Sequence, residues 1–441
     1  MMKVLVLMSM VMVGFSAAEE WARFRGADGN GAVKDDPRLP ETWGPTENVA
    51  WKVEVPGLGW SSPVVVGEKV FLTSVRNEKN EENEQPRAGL YLGEGRRGVP
   101  SGTHHWEVFC YHLVGGDLLW RETVKRGVPP VGRHPKSTYA AETPVTDGER
   151  LYVLFGDVGL FCFDLEGKLL WTHEIEARKT MAEYGAAASP VVADGRVIYV
   201  YDNQEASEMV ALAAATGDEM WRVTRDERTT WATPLVWKTE KRVEVVVPGK
   251  RRIRSYGLDG KVLWELDGQM SNLVIPSPLV ADGLLYLSSG YVGDQKRPAW
   301  AIRPGATGDI SLKDGETSNA FVQWFQPKGG PYNPSPLVYD GIYYLLLDRG
   351  MMSTYDAKTG EQIYDRVRLP RGASFTASPW AYGGKVYCLA ENGTTYVLKA
   401  GREFELLGTN VLEKEMCMAT PAVVDGRVLV RTAGWLYCLG K

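Results

Sequence analysis

The sequence has little that would place it in a membrane or on a nucleic acid. Its formal charge is 50 − 55 = −5 at pH 7, too mild to predict binding to DNA, RNA or an anionic membrane surface. Beyond the N-terminus, no apolar run approaches the roughly 20 residues that a spanning helix needs. We therefore expect a chain that is not membrane-embedded, has no nucleic-acid partner and is a monomer.

Cysteine and known catalytic motifs are also scarce. The five cysteines are far apart, and none forms a CxxC pair or a CxxCH haem-attachment motif. Three of them, Cys110, Cys162 and Cys438, stand between apolar residues, which favours small buried hydrophobes over disulfides or metal ligands. No GxSxG, HExxH or phosphate-binding loop occurs. The sequence thus predicts no catalytic residue, and a hydrolase or lyase has no motif to support it.

The N-terminus has the pattern of an export signal. Lys3 gives a basic start, residues 4–15 are apolar, and Ser16-Ala17-Ala18 offers small residues for cleavage. We predict a signal peptide over 1–18, cleaved after Ala18, and a periplasmic or secreted protein. Residues 19–49 then form an N-terminal extension ahead of the main domain, 50–441.

What the chain does have is a repeat rich in aromatic residues and glycine. A Ser-Pro or Thr-Pro pair followed by apolar residues recurs eight times, and five of the seven spacings between these pairs lie between 42 and 46 residues. The two longer spacings predict insertions near 76–103 and 293–319. The prolines of the eight pairs are Pro63, Pro144, Pro190, Pro234, Pro278, Pro336, Pro379 and Pro421.

Each pair opens a phrase of four short apolar segments. An Asp-Gly turn follows the first segment, as at Asp147-Gly148 and Asp194-Gly195, and such a turn favours a type I′ hairpin. A second turn ending in Gly precedes the fourth segment, which often carries Trp. Eight copies of a four-strand unit at this period predict an all-β, eight-bladed β-propeller of four-stranded antiparallel blades.

Closure of the ring gives a separate check on this prediction. The last copy ends without a fourth segment, whereas residues 50–57 (AWKVEVPG) form a Trp-bearing segment that precedes the first pair. We predict that this N-terminal strand completes the last blade, so that no sheet edge is left unpaired between the chain ends.

Several of these motifs resemble exported bacterial propellers of the PQQ-binding-like repeat family. They are WARFRGADGNG (21–31), HPKSTYAAETPVTDGER (134–150), VGLFCFDLEGKLLW (158–171) and AIRPGATGDISL (301–312). The resemblance implies that fourth-strand tryptophans pack between blades, a role that would fall to Trp51, Trp120, Trp171, Trp221, Trp264 and Trp324. Tyr364 and Leu406 or Leu407 stand in the Trp position of blades six and seven.

The resemblance implies two classes of function. One is a quinoprotein dehydrogenase that uses pyrroloquinoline quinone (PQQ) and Ca²⁺; the other is the propeller subunit of the outer-membrane β-barrel assembly machine, which binds protein without a cofactor. No adjacent Cys pair and no DxDxDG calcium loop occurs here. We therefore expect a binding or scaffolding module without a cofactor, with a PQQ- and Ca²⁺-dependent alcohol or sugar dehydrogenase as the alternative.

Aromatic residues before the Ser/Thr-Pro pairs predict the binding site. They enter the innermost strands and so should surround the channel mouth, where flat rings suit a protein, peptide or glycan partner; plugging of the channel is the alternative. The candidate binding residues are Trp60, Arg133, His134, Lys136, Tyr139, Glu142, Tyr184, Trp231, Tyr332 and Phe375. His104, His105 and His134 are weak candidates for a metal site, with a polar loop as the alternative.

Overall fold

The computed structural model describes residues 20–79, 86 and 99–440. The predicted signal peptide and most of the predicted 76–103 insertion lie outside these residues. The regular secondary structure of the described chain is β-strand, apart from one short 3₁₀ turn at Met181–Glu183. None of its helical segments has the length and apolar character needed to cross a membrane.

Eight antiparallel sheets, the blades, follow one another along the chain, which confirms the predicted fold. Blade 1 contains β2 (Val64–Val66), β3 (Lys69–Asn77), β4 (His104–His112) and β5 (Leu118–Gly127), and blade 2 contains β6 (Val145–Thr146), β7 (Arg150–Phe155), β8 (Gly159–Asp164) and β9 (Leu169–Glu174). Blade 3 contains β10 (Val191–Ala193), β11 (Arg196–Tyr201), β12 (Glu208–Ala213) and β13 (Glu219–Thr224), and blade 4 contains β14 (Leu235–Lys238), β15 (Val243–Val247), β16 (Ile253–Tyr256) and β17 (Val262–Leu266).

Blades 5 to 8 have the same strand order. Blade 5 contains β18 (Leu279–Ala281), β19 (Leu284–Ser288), β20 (Ala299–Ile302) and β22 (Val322–Gln326), and blade 6 contains β23 (Leu337–Tyr339), β24 (Ile342–Leu347), β25 (Met351–Asp356) and β26 (Gln362–Arg368). Blade 7 contains β27 (Trp380–Tyr382), β28 (Lys385–Leu389), β29 (Thr394–Lys399) and β30 (Leu406–Val411), and blade 8 contains β31 (Ala422–Val424), β32 (Arg427–Arg431), β33 (Trp435–Leu439) and β1 (Val49–Glu54).

The N-terminal strand closes the ring as predicted. β1 pairs antiparallel with β33, and Trp51 stands opposite Cys438. The Gly440 N–H also donates to the Asn48 carbonyl at 2.9 Å. The last blade therefore takes three strands from the C-terminal part of the chain and its outer strand from the N-terminal part.

Four of the five Asp-Gly pairs in the first hairpins of the blades form the turn that this dipeptide predicts. Both residues of the pair have positive φ in four blades, at Asp194, Asp282, Asp340, Asp425 and the glycines that follow them. Blade 2 differs. Only Gly148 has positive φ there, and the Asp147 carboxylate instead accepts hydrogen bonds from the N–H groups of Glu149 and Arg150. The prediction of a type I′ turn at Asp147-Gly148 is therefore wrong.

The fourth-strand tryptophans lie against the next blade. The indole N–H of Trp171 donates to the Ala214 carbonyl at 3.1 Å, and Trp51, Trp120, Trp221 and Trp324 make the corresponding bond to a turn of their own neighbour. A glycine in each of these turns contacts the ring: a Cβ on Gly217 would stand 2.7 Å from Trp171. These Trp–Gly contacts explain why the second turn of the repeat ends in glycine.

Trp264 in blade 4 departs from this pattern. Its indole N–H donates to the buried carboxylate of Glu244 in its own blade at 2.7 Å. A short strand, β21 (Gly308–Asp309), pairs in parallel with β17 and gives this sheet a fifth strand. The predicted insertion 293–319 thus contains β20, the regular third strand of blade 5, together with β21, which belongs to blade 4.

Residues 21–33, which we call the plug segment, cross one face of the ring. They hydrogen-bond to the beginnings of first strands in several blades: Trp21 pairs with Val65, Arg23 donates to the Pro234 carbonyl, and Asn30 pairs with Val338. Burial without a full set of partners lowers the pKa of Arg25 to about 9. The plug segment ties six blades together, namely 1, 2, 4, 5, 6 and 7.

Candidate functional site at the channel mouth

A ring of hydroxyl groups surrounds the central channel. The backbone N–H of each Ser or Thr before the repeat proline donates to the hydroxyl of its counterpart in the next blade, at 2.9 to 3.0 Å, in seven successive junctions. All eight residues are buried and line the same cavity. This hydroxyl ring consists of Ser62, Thr143, Ser189, Thr233, Ser277, Ser335, Ser378 and Thr420.

The order of residues along the innermost strands arranges the channel in layers. In blade 4, Trp231 precedes the hydroxyl of Thr233, and Pro234, whose carbonyl accepts from Arg23 of the plug segment, follows it. In this segment, which leads into β14, Trp231 therefore stands at the end far from the strand and the plug segment bonds at the end next to it, with the ring hydroxyl between them. Phe24 of the plug segment lines the same cavity as the ring, and so closes it from below.

Above the hydroxyl ring, aromatic side chains form the wall of a cavity of about 240 Å³, which we call the channel cup. The aromatic residues of this wall are Trp60, Tyr184, Trp231, Tyr291 and Tyr332, and Phe24 lines the same cavity from the plug segment. The indole N–H groups of Trp60 and Trp231 each donate at 2.8 Å to a backbone carbonyl, that of Lys136 and that of Gly185. The polar edges of these two rings are therefore satisfied by the protein, and their positions are fixed before any ligand arrives.

A loop between blades 1 and 2, residues 128–141, leans over the cup and brings in charge. We call it the mouth loop. Its Lys136 ammonium forms a buried ion pair with Glu391 of blade 7, and the Thr376 hydroxyl donates to the same carboxylate at 2.7 Å. His134 packs edge-on against Tyr184 at 4.6 Å between ring centroids. The mouth loop thus joins blades that are not neighbours.

Arg133, Tyr139 and Glu142 line a second, smaller cavity formed by the mouth loop, blades 1 and 2 and the connection to blade 3. The Arg133 guanidinium stands over the Tyr139 ring, 5.3 Å from its centroid. The Glu142 carboxylate accepts the Gly156 N–H at 3.0 Å. Desolvation, with a smaller contribution from the charge of Asp157, raises the pKa of Glu142 to about 8. Desolvation likewise raises the pKa of Asp157 to about 6.

The candidate residues Phe375, His104 and His105 lie apart from the cup. Phe375 is fully buried against Tyr396 and does not line the cup. His105 bonds to Glu78 at 2.6 Å, and His104 to the Gly102 carbonyl at 3.1 Å. Across residues 20–79, 86 and 99–440, no three His, Cys, Asp or Glu side chains stand where they could hold one metal ion. The five cysteines are free and buried.

Of the ten candidate binding residues, the cup therefore brings together Trp60, His134, Lys136, Tyr184, Trp231 and Tyr332. Sequence reasoning missed Tyr291, Glu391 and the hydroxyl ring. The ring could have been found, because its hydroxyls belong to the same Ser/Thr-Pro pairs that define the repeat. Tyr291 and Glu391 carry no such signal, because neither belongs to a recurring motif, although each lies in the connection between the second and third strands of its blade.

A family model described as outer membrane protein assembly factor BamB matches residues 105–266 and 206–439, together three quarters of the chain. A search of curated proteins found no match. Many solved structures match. Among them, BamB from Moraxella catarrhalis is 14% identical with a TM-score of 0.54, and the alignment covers 84% of this chain and 99% of that one.

Two dehydrogenase structures are also similar. A europium-containing methanol dehydrogenase is 10% identical with a TM-score of 0.68, and the alignment covers 97% of this chain and 99% of the enzyme. The quinohemoprotein alcohol dehydrogenase of Comamonas testosteroni is 13% identical with a TM-score of 0.61, with coverage of 97% and 81%. At such low sequence identities, the similarity establishes only the fold that the three proteins share with this chain. It does not assign their activities to this chain.

Proposed function

This chain belongs to the family of the outer membrane protein assembly factor BamB, and from that membership we propose that it is an exported propeller, periplasmic or secreted, that works by binding a partner in the channel cup. The partner inserts a group between the aromatic rings of the cup. The propeller supplies the rigid frame that holds these rings in place, and no bond is made or broken in the partner.

The fixed aromatic wall is the observation that carries this proposal. Trp60 and Trp231 are held by hydrogen bonds to the backbone, and Tyr291 packs edge-on against Tyr332 at 5.1 Å between ring centroids. Rings that are already ordered lose little entropy when a ligand arrives, so their contact area contributes to affinity at low cost. The plug segment beneath the cup limits entry to the open mouth.

The dehydrogenase alternative needs a quinone and a metal ion in the channel, and the residues of the cup do not fit that pair. Ca²⁺ takes six to eight oxygen ligands, with carboxylates prominent among them, whereas the described residues contain no cluster of three His, Cys, Asp or Glu side chains placed to hold a metal ion. Lys136, already paired with Glu391, is the one Lys or Arg among the described residues that line the cup. The expectation that no cofactor is used stays a prediction.

A capture experiment with matched variants tests the binding proposal. The mature chain is immobilised, exposed to extract of its native envelope and washed, and the retained material is quantified against Tyr332→Ala and Tyr339→Ala. Tyr339 lies on the face of the plug segment, near Asp35. We expect Tyr332→Ala to reduce capture about tenfold, since an aromatic contact and its buried area exceed about 1.4 kcal/mol, and Tyr339→Ala to leave it intact. Equal losses in both variants would refute a site in the cup.

Incubation with PQQ and Ca²⁺ tests the alternative. A ligand at about 100 times its Kd stabilises a protein by about 2.7 kcal/mol, which a melting curve detects easily. We expect no shift of the melting temperature and no dye-linked oxidation of alcohols or sugars. A clear shift together with turnover would replace the binding proposal by the dehydrogenase.

A further inference from the structure

We infer that the group accepted by the channel cup is an uncharged sugar residue, so that the partner is a neutral glycan. This inference rests on the proposed binding function and narrows its ligand. Three features of the cup carry it: the unused donors of the hydroxyl ring, the layered arrangement of aromatic faces over hydroxyls, and the near absence of charge.

The hydroxyl ring offers a circle of hydrogen-bond donors. A Ser or Thr hydroxyl has one O–H to donate and two lone pairs. In seven of the eight residues one lone pair already accepts the N–H of the preceding blade. None of the eight hydroxyls donates to a protein acceptor within the described part of the chain, so each O–H can turn toward a ligand. A ligand oxygen satisfies such a donor, and a purely apolar group would leave it unpaired at a cost.

The aromatic layer complements the other part of a sugar. A pyranose ring has faces built largely of C–H groups and a rim of hydroxyls, each of which donates and accepts. Trp231 and Tyr184, with ring centroids 6.4 Å apart, and Trp60 across the mouth present flat apolar surfaces above the hydroxyl ring. A sugar residue that enters the cup therefore meets aromatic carbon on its faces and hydroxyl donors at its inner end.

Charge decides between a neutral and an acidic ligand. No Asp, Glu or Arg lines the cup among the described residues; Lys136, the one lysine there, is buried and paired with Glu391, and His134 packs edge-on against Tyr184. Bringing a carboxylate or sulfate into this cup would require breaking that ion pair or burying an unpaired charge, both of which are expensive. An uncharged residue of a glycan avoids this cost.

An array experiment with the full mature chain tests the inference. The probes are uncharged oligosaccharides (glucans, mannans, xylans and chitooligosaccharides), acidic glycans such as heparin and polygalacturonate, and a panel of short peptides. Affinities of the hits are then measured by titration calorimetry for the wild type, Trp231→Ala, the milder Thr233→Val, and Thr354→Val. Thr354→Val is the matched control, because Thr354 is a buried threonine on β25 that does not line the cup. Melting curves confirm that each variant is folded.

We expect a neutral oligosaccharide to bind, with affinity about tenfold lower in Trp231→Ala and roughly three- to tenfold lower in Thr233→Val, and unchanged in Thr354→Val. Peptide binding that depends on Trp231, with no sugar binding, would overturn the glycan inference and leave the proposed function standing. Binding of acidic glycans alone would also overturn it. If no probe on the array binds, and the wild type also captures nothing from the envelope extract, both proposals are overturned.

Discussion

At the scale of single residues, the buried carboxyl of Glu142 makes stability depend on pH. Its pKa is about 8 in the folded protein, against the ordinary value of 4.5 for an exposed Glu side chain. As pH rises, the unfolded chain therefore loses this proton at a lower pH than the folded protein does. The free energy of unfolding consequently falls as pH rises from about 4.5 to about 8. Below this window the carboxyl is protonated in both states, and its stabilising effect is then fully present.

Substitution of Glu142 by Gln isolates this effect. Above pH 6 the neighbouring Asp157 is mostly ionised, since its pKa is about 6, so Glu142 dominates the slope up to about pH 8. We expect wild-type stability, measured by urea unfolding, to fall by up to about 1.4 kcal/mol per pH unit there, and the profile of Glu142→Gln to be flatter. Glu149→Gln, which alters an exposed carboxylate of the same blade, should keep the wild-type slope. A slope unchanged in Glu142→Gln would contradict the assignment.

The glycine beneath each inter-blade tryptophan is a second residue-scale feature. Gly217 has φ +79° and its Cβ position lies 2.7 Å from Trp171, whereas Gly195 has φ +70° with open space around it. Alanine at either position meets a backbone penalty of roughly 1–2 kcal/mol. Only Gly217→Ala also displaces a ring, which adds about 1–3 kcal/mol. Chemical denaturation should therefore show Gly217→Ala as clearly the less stable variant; equal losses would mean that the ring contact contributes nothing.

At the scale of elements, the mouth loop is held by the buried pair of Lys136 and Glu391. Removing one partner leaves a charge in a site that excludes water, and we expect Lys136→Met to cost about 3–5 kcal/mol in the free energy of unfolding. The double variant Lys136→Met, Glu391→Gln should cost less than the sum of the two single variants, with a coupling of about 1–3 kcal/mol by a double-mutant cycle. Additive losses would show that the two side chains do not stabilise each other.

The contacts of the mouth loop are of a kind that the sequence could not predict, unlike the repeated parts of the fold. The Ser/Thr-Pro pairs that mark the repeat recur every 42 to 46 residues in five of seven intervals, and a repeated pattern can be placed on a repeated structure. The prediction of a type I′ turn at Asp147-Gly148 failed because four residues separate the paired Thr146 and Leu151, and the Asp147 carboxylate caps this longer loop. Glu391, Tyr291 and the course of the plug segment come from contacts between parts of the chain that are far apart and not repeated. Their positions depend on the finished ring, which no local pattern encodes.

At the scale of the whole molecule, the ring couples its two chain ends. β1 brings the N-terminal part of the chain to β33, the plug segment bonds to six blades from one face, and the hydroxyl ring joins neighbouring blades at the axis. Contacts of each blade with both neighbours make the ring a closed array, and closure removes the exposed end sheets that would otherwise pair with other chains. We therefore expect one cooperative unfolding transition for the intact protein.

A circular permutant tests whether closure itself supplies this cooperativity. Val49 stands opposite Leu439, and Gly440 bonds to Asn48, so residues 47–57 can follow residue 441 directly, in a chain that now begins at residue 58. Its matched control is the truncation 44–441, which keeps β1 and also lacks the plug segment; the truncation 58–441 lacks both. By differential scanning calorimetry and light scattering, we expect the permutant to match 44–441 in melting temperature and to remain monomeric. The 58–441 chain should melt earlier, in a broader transition, and associate through the exposed edge of β33. If the permutant instead behaves like 58–441, the presence of β1 is not sufficient, and the strand closes the ring only when it is joined to the N-terminal side of blade 1.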